Sequence, residues 1–329
     1  LVVLVLAFGS RECDMLMVFR GRSDSAVRGR SLQPGFGPAS FGLDEFPGTP
    51  SPSAEDWLAF LDSAGCPAPH WVNYVKASAF HLAHLHPGSR LTGIDFVVDS
   101  TIPVAGGASS SSALVMTSAY ALRLVNALSL DPADLARSGG CAEWYVGTRG
   151  GMMDHATMAF GQANRVVLFT TSPGRARTIA APIHGYEWIT FYTVGAEKND
   201  ALMALDNEIS AVSVTLLPFL IDRILNADPD LRPQWQRLLD AIAAENPQAI
   251  HDCRPVIDAV LARLPESVDL HQVETDMPEL SRELHARYPA LRRHFDRRRP
   301  IPVRPKARFH LGEIHRVIRE ATALNMAGR

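Results

Sequence analysis

Two stretches of the chain hold residues whose types and spacing suit chemistry on a polyanion. The first is Thr101-Ile-Pro-Val-Ala-Gly-Gly-Ala-Ser-Ser-Ser-Ser-Ala-Leu114. Its residues 104–108 carry almost no side-chain bulk, so backbone amides there can close on an anion. A helix beginning at about Ser110 adds unpaired N–H groups and the positive end of a dipole. Four consecutive serines, Ser109 to Ser112, supply hydroxyls for phosphate oxygens or a magnesium ion. The second stretch, Gly150-Gly-Met-Met-Asp-His155, puts a carboxylate after two glycines, where a substrate can approach the backbone because glycine lacks Cβ. Asp154 also suits the start of a helix, and a capping role there is compatible with a chemical one. No Gly-Lys-Ser/Thr follows the serine run, so it is not a Walker A loop.

The elements that must position these residues are legible around them. An extended apolar run over residues 94–98 feeds the serine loop as a strand, and residues 110–128 read as the helix after it, with Leu114, Ala121, Leu122 and Val125 near one face. Asp131-Pro132 is a cap followed by a first-turn proline; the helix it opens carries Glu143 and Trp144, and Gly139-Gly140 is expected to interrupt it. Strands are expected at residues 1–8, 15–20, 25–31, 165–170 and 188–194. Residues 35–54 read as a loop, 55–64 as a short helix, and 71–86 as a helix ended by Pro87-Gly88. From Asp206 onward helices dominate: 209–225, 232–245, 255–264, 279–287 and 310–324. There is no internal repeat. The strand-rich half ends near residues 199–206, which places two domains at 1–200 and 201–329.

The bulk composition narrows the classes further. A chain of 329 residues, 47% hydrophobic and 20% charged, can bury a proper core, and a net charge of −3 gives no reason to expect nucleic acid or an anionic membrane as partner. Only three lysines (Lys76, Lys198, Lys306) stand against many arginines. Cys13, Cys66, Cys141 and Cys253 are widely spaced, which argues against a disulfide framework or a structural zinc site and for a cytoplasmic location. The apolar start is too short to span a bilayer. His81, His84 and His86, and separately His310, Glu313 and His315, lack the spacing of a zinc enzyme and are expected to lie on solvated faces. The arginine run at Arg292, Arg293, Arg297, Arg298 and Arg299 is expected to be a solvated connection.

The first stretch resembles the phosphate-binding motif of the GHMP kinases, Pro-x-Gly-Ala-Gly-Leu-Ser-Ser-Ser-Ala. Pro103, Gly107, Ser109, Ser110 and Ser111 fall in register, while Ala105, Gly106, Ala108 and Ser112 replace its Gly, Ala, Leu and Ala. The second resembles the Gly-(Ile/Gly)-Met-Asp-Gln signature of galactokinases and N-acetylgalactosamine kinases, with His155 in place of Gln. Trp71-Val-Asn-Tyr-Val75 resembles an element before the phosphate loop of that group, and the stretch from Arg308 to Val317 resembles a late helix that places the C-terminal domain.

The resemblance implies an α+β, GHMP-kinase-like fold: an N-terminal α+β domain, then a largely helical, incomplete C-terminal α+β domain. It implies ATP held by Ala105, Gly106, Gly107, Ala108, Ser109, Ser110 and Ser111, with Mg2+ on Ser111 and Glu143. The sugar, galactose or N-acetylgalactosamine, is expected on Gly150, Gly151, Asp154 and His155. Asp154 is expected to accept the proton of the anomeric hydroxyl or to orient it, and His155 either to bond substrate or to sit on a helix surface. The group's opening Gly-Glu-His-Thr-Asp-Tyr segment, its closing glycine-rich motif and its Tyr-x-x-Arg segment have no counterpart here, so the chain is expected to be truncated at both ends. The implied activity is that of an ATP-dependent sugar-1-kinase; the alternative is a non-catalytic, sugar- or nucleotide-sensing relative or a decayed fragment without activity.

Overall fold

A computed structural model describes residues 4–7, 13–171, 174–180, 200–287 and 299–327. The described residues fall into two compact units, one made of 13–161 with 200–203, the other of 4–7, 162–180 and 204–327. The fold class is α+β, strand-rich first and largely helical later, as the sequence implies.

The short strand β1 (Leu4–Ala7) belongs to the second unit. The first unit holds β2 (Met15–Gly21), β3 (Ala26–Ser31), β4 (Ala39–Gly42), α1 (Ala54–Ala64), α2 (Val72–Leu85), β5 (Ile94–Ser100), α3 (Ser110–Val125), α4 (Pro132–Glu143) and α5 (Met153–Phe160). Its sheet runs β2-β5-β3-β4, with β5 antiparallel to β2 and parallel to β3. Along β5 the side chains alternate: Ile94, Phe96 and Val98 are buried while Val97 and Asp99 face out, so the strand is covered on one side. The helices lie on that buried side, around a core that includes Trp57, Phe80, Leu82, Met116 and Leu122. Ser53 caps α1 by accepting the Asp56 N–H, and Asp131 caps α4 by accepting that of Asp134.

Several expectations change in this unit. Within the stretch read as loop, β4 forms as the edge strand beside β3. Helix α4 is continuous through Gly139 and Gly140; the glycines mark close packing and not a break. Helix α2 is sunk in the unit, so the histidines expected on a solvated face are core residues. His81 and His84 are 5% and 1% exposed. Each ring lays its apolar body against Trp57 and gives one nitrogen a hydroxyl: His81 Nδ1 lies 2.9 Å from Ser138 Oγ, and His84 Nδ1 lies 2.6 Å from Thr49 Oγ1.

In the second unit β1 pairs with β6 (Arg165–Thr171), and β6 with β7 (Gly174–Ala180), as an antiparallel three-stranded sheet. The helices α6 (Asp200–Ala211), α7 (Leu217–Ala227), α8 (Leu231–Ala243), α9 (Pro247–Asp252) and α10 (Arg254–Arg263) follow. A π-helical turn, Val212–Leu216, joins α6 to α7. Then come β8 (Ser267–Val268), α11 (Leu270–Asp276), α12 (Pro278–Arg287), β9 (Ile301–Pro302) and α13 (Arg304–Ala327), with β8 and β9 paired. The sequence pattern misses β7, α9, α11, β8 and β9, and it reads 209–225 as one helix where the structure has α6 from Asp200, the π-helical turn and α7. It starts α13 six residues late, because Pro305 sits in the first turn, where a missing N–H costs nothing. Residues 188–194, expected as a strand, lie outside the described residues, as does the arginine run up to Arg298. Arg299 is described and pairs with the buried Glu208. His310 Nε2 lies 2.6 Å from Ser213 Oγ, and among the described residues no group of three or more His, Cys, Asp or Glu could hold a metal. Among them, too, no helix is long and apolar enough to cross a membrane.

Candidate active site

The serine loop connects β5 to α3, and its backbone has an unusual rhythm. Every second residue is left-handed: Ala105 at φ 56°, Gly107 at 72° and Ser109 at 59°. Alternating hands of this kind turn successive N–H groups toward one side and form an anion-binding concavity. Ser109 is the N-cap of α3, yet its side chain caps nothing, so the helix opens without a side-chain acceptor of its own. Val104, Gly107 and Ala108 are exposed, and a Cβ added at Gly107 would meet nothing within 4 Å. Among the described residues nothing covers the mouth of the loop at Gly107.

At Ala105 this conformation is strained, because a Cβ in the left-handed region costs about 1 kcal/mol or more. Ala105→Gly is expected to stabilise the protein by up to about 1 kcal/mol, read as a higher urea midpoint at unchanged m-value. An unchanged or lower midpoint would show that the loop bears no such strain.

Helices α3, α4 and α5 meet behind the loop. Ser112 on α3 is 3% exposed and donates its hydroxyl to Glu143 Oε2 on α4 at 3.0 Å. His155 on α5 is 1% exposed, and its Nε2 lies 3.3 Å from the same oxygen. His155 is thus turned inward, against the expectation that it lies on a helix surface. Asp154 precedes it in the first turn of α5 and is half-buried; the N-cap of that helix is Met152, so Asp154 is not the cap. Its carboxylate sits at the start of a helix, where the dipole favours negative charge.

The glycine pair of α4 makes this junction possible. A Cβ at Gly139 would lie 2.6 Å from His155 Cδ2 and 2.7 Å from Met116 Sδ, and one at Gly140 would lie 3.0 Å from Met152 Cβ. Both glycines let the segment bearing Asp154 settle against α4. Gly139→Ala is expected to destabilise the protein by about 1–3 kcal/mol through overpacking, measurable as a lowered thermal midpoint. A neutral substitution would mean that the three helices can spread.

The approach to Asp154 is also held in place. Trp144 Nε1 donates to Gly150 O at 3.2 Å, and Arg149, 8% exposed, donates to Trp144 O at 2.5 Å while its guanidinium lies over the indole. Gly151 has open space where a Cβ would be, and Gly150 meets only Thr148.

Of the residues expected from sequence, the structure brings Ser111, Glu143, Asp154 and His155 to helix ends that converge behind the loop. Sequence reasoning missed Gly139, Gly140 and Arg149, and it offered the Ser112 hydroxyl to phosphate or magnesium where the structure buries it against Glu143. For Ser112 a signal existed: with Val115, Met116 and Ala119 it follows the helical spacing of the buried face. Glu143 with a serine hydroxyl is a donor set of hard oxygens that fits magnesium. The open left-handed loop fits a phosphate chain.

Residues 73–162 match the model of the GHMP kinases N terminal domain. A galactokinase of Chloroflexus aurantiacus is 33% identical over 113 residues, which are 34% of this chain and 28% of that protein. One of Dictyostelium discoideum is 32% identical over 105 residues, 32% of this chain and 21% of that protein. The chain thus matches less than a third of the length of these relatives. A solved structure of Lactococcus lactis galactokinase complexed with galactose superposes at a TM-score of 0.49 with 18% identity, covering 64% of this chain and 56% of that one. The segment that resembles the GHMP kinases N terminal domain is thus the one that carries the serine loop, Glu143 and Asp154.

Proposed function

We propose that this chain serves an ATP-dependent sugar-1-kinase that phosphorylates the anomeric hydroxyl of galactose or N-acetylgalactosamine. The observation that carries the reading is the left-handed, open loop at Ala105, Gly107 and Ser109 lying at the head of α3, whose Ser112 reaches Glu143 and through it the helix of Asp154. In this reading the N–H groups of Ala105 to Ser111 hold the β- and γ-phosphates, and the α3 dipole offsets their charge.

Asp154 faces the sugar hydroxyl. As the hydroxyl oxygen forms its bond to the γ-phosphorus, the bond from that phosphorus to ADP breaks, and the proton of the hydroxyl passes to the Asp154 carboxylate. Little covalent chemistry is left to the protein; position and charge supply the rate. Magnesium, held by Glu143 and Ser111, would offset charge on the phosphates when bound. Gly150 and Gly151 leave the sugar room to reach the backbone beside Asp154.

A coupled assay of ADP release across a panel of hexoses tests the reading. Turnover is expected with galactose or N-acetylgalactosamine and not with glucose. Nucleotide binding with no turnover on any sugar would favour the sensing relative, whose structural support is the strained Ala105 where the family motif has glycine.

A further inference from the structure

Glu143 is approached by two buried polar side chains, and one of them is out of place on stability grounds alone. Ser112 Oγ donates to Oε2 at 3.0 Å. His155 Nε2 lies 3.3 Å from the same atom without a hydrogen bond to it, and among the described residues Nδ1 has no hydrogen-bond partner. An imidazole 1% exposed with unsatisfied nitrogens costs about 1–3 kcal/mol relative to one that is paired. The slot it fills is built for it. Gly139 is the residue type that leaves space for the ring, and a Cβ there would also meet Met116 Sδ. A leucine would fill this slot without the polar penalty.

We infer that His155 is a positioning residue: with Ser112 it clamps one oxygen of Glu143 from α5 and α3, fixing that carboxylate for a nucleotide-bound divalent cation. The inference rests on the function proposed above. Ser112 Oγ and His155 Nε2 reach Oε2 from different helices, so rotation of the carboxylate breaks the serine hydrogen bond or opens the contact with the imidazole. At 1% exposed, the imidazole also fills the space beside Oε2 on the α5 side. Donors placed behind a metal ligand orient it, and their loss typically costs about 10–100-fold in metal affinity. The neighbouring Asp154 gains from the same anchor, because the first turn of α5, which holds it, lies against α4 at the next residue, His155.

The test uses the full chain and a fluorescent ATP analogue titrated with and without Mg2+. In the wild type Mg2+ is expected to strengthen nucleotide binding. His155→Leu is expected to weaken the Mg2+ dependence at least about 10-fold while leaving metal-free nucleotide affinity unchanged. His155→Gln, which keeps an N–H donor, is expected to recover most of the loss. Ser112→Ala is expected to weaken the same dependence from the other side, which keeps the inference open to refutation if the leucine variant does not fold. A folded His155→Leu, or Ser112→Ala, with wild-type Mg2+ dependence would overturn the clamp and leave the kinase reading standing. Wild-type protein that binds no nucleotide would overturn both.

Discussion

Asp154→Ala is expected to lower phosphoryl transfer about 10²–10⁴-fold while nucleotide binding stays close to wild type. The argument is positional. Asp154 stands in the first turn of α5, half-buried and outside the hydrogen-bond network that holds the three helices together; His155 next to it makes the contact to Glu143. Removing the carboxylate therefore takes away a proton acceptor and not a structural tie, and the loop at residues 103–109 that would hold the nucleotide is untouched. The check is a pair of measurements on one preparation, single-turnover ADP formation and fluorescent-nucleotide affinity. Near-normal turnover would remove Asp154 from the chemistry. A collapse of nucleotide affinity would show that it supports the loop.

The second large effect is on stability at low pH. Burial, with a smaller contribution from His84, pushes the His81 imidazole down to about 3. Its ordinary value in an unfolded chain is about 6.5. The sign follows from linkage: above pH ~6.5 neither state binds the proton, whereas below it only the unfolded chain does. The stability is thus present in full above ~6.5 and is lost as pH falls toward 3, at about 1.4 kcal/mol per pH unit. Between pH 7 and pH 5 this one group is expected to cost about 2 kcal/mol. His84 is lowered in the same direction, chiefly by burial, and adds to the effect. Chemical denaturation of wild type and His81→Gln at both pH values is the measurement. The variant is expected to lose less stability on acidification than wild type. An equal loss in both would assign the acid sensitivity to other groups.

The two histidines also show where sequence reading stops. Three histidines at the end of an amphipathic helix look solvated when only that helix is considered. Their burial follows from Trp57 on α1 and Ser138 on α4, which become neighbours only when the unit assembles. Local features were legible for the opposite reason. The strand β5 alternates every second residue, α3 follows a helical period, and Ser53 and Asp131 cap helices within three residues of themselves. The serine loop and Asp154 could be singled out because their chemistry is written in residue type and order. The role of Gly139 and Gly140 could not. A glycine pair in a helix reads as a break until the side chains that would collide with a Cβ are known, and here those belong to Met116, Met152 and His155. Ser112 fell between the two cases. Its helical phase marks it as buried, but the partner that makes it useful lies 31 residues away on another helix.

The central claim is that the backbone between Pro103 and Ser111 wraps a nucleotide's phosphates. Amide hydrogen exchange of the full chain, followed with and without saturating Mg-ATP, tests it most directly. The account predicts strong slowing at Ala105 to Ser112, weaker slowing at residues 143–155, and none along α8 or α10. Unchanged exchange through the serine loop in the presence of bound nucleotide, with protection elsewhere, would contradict it.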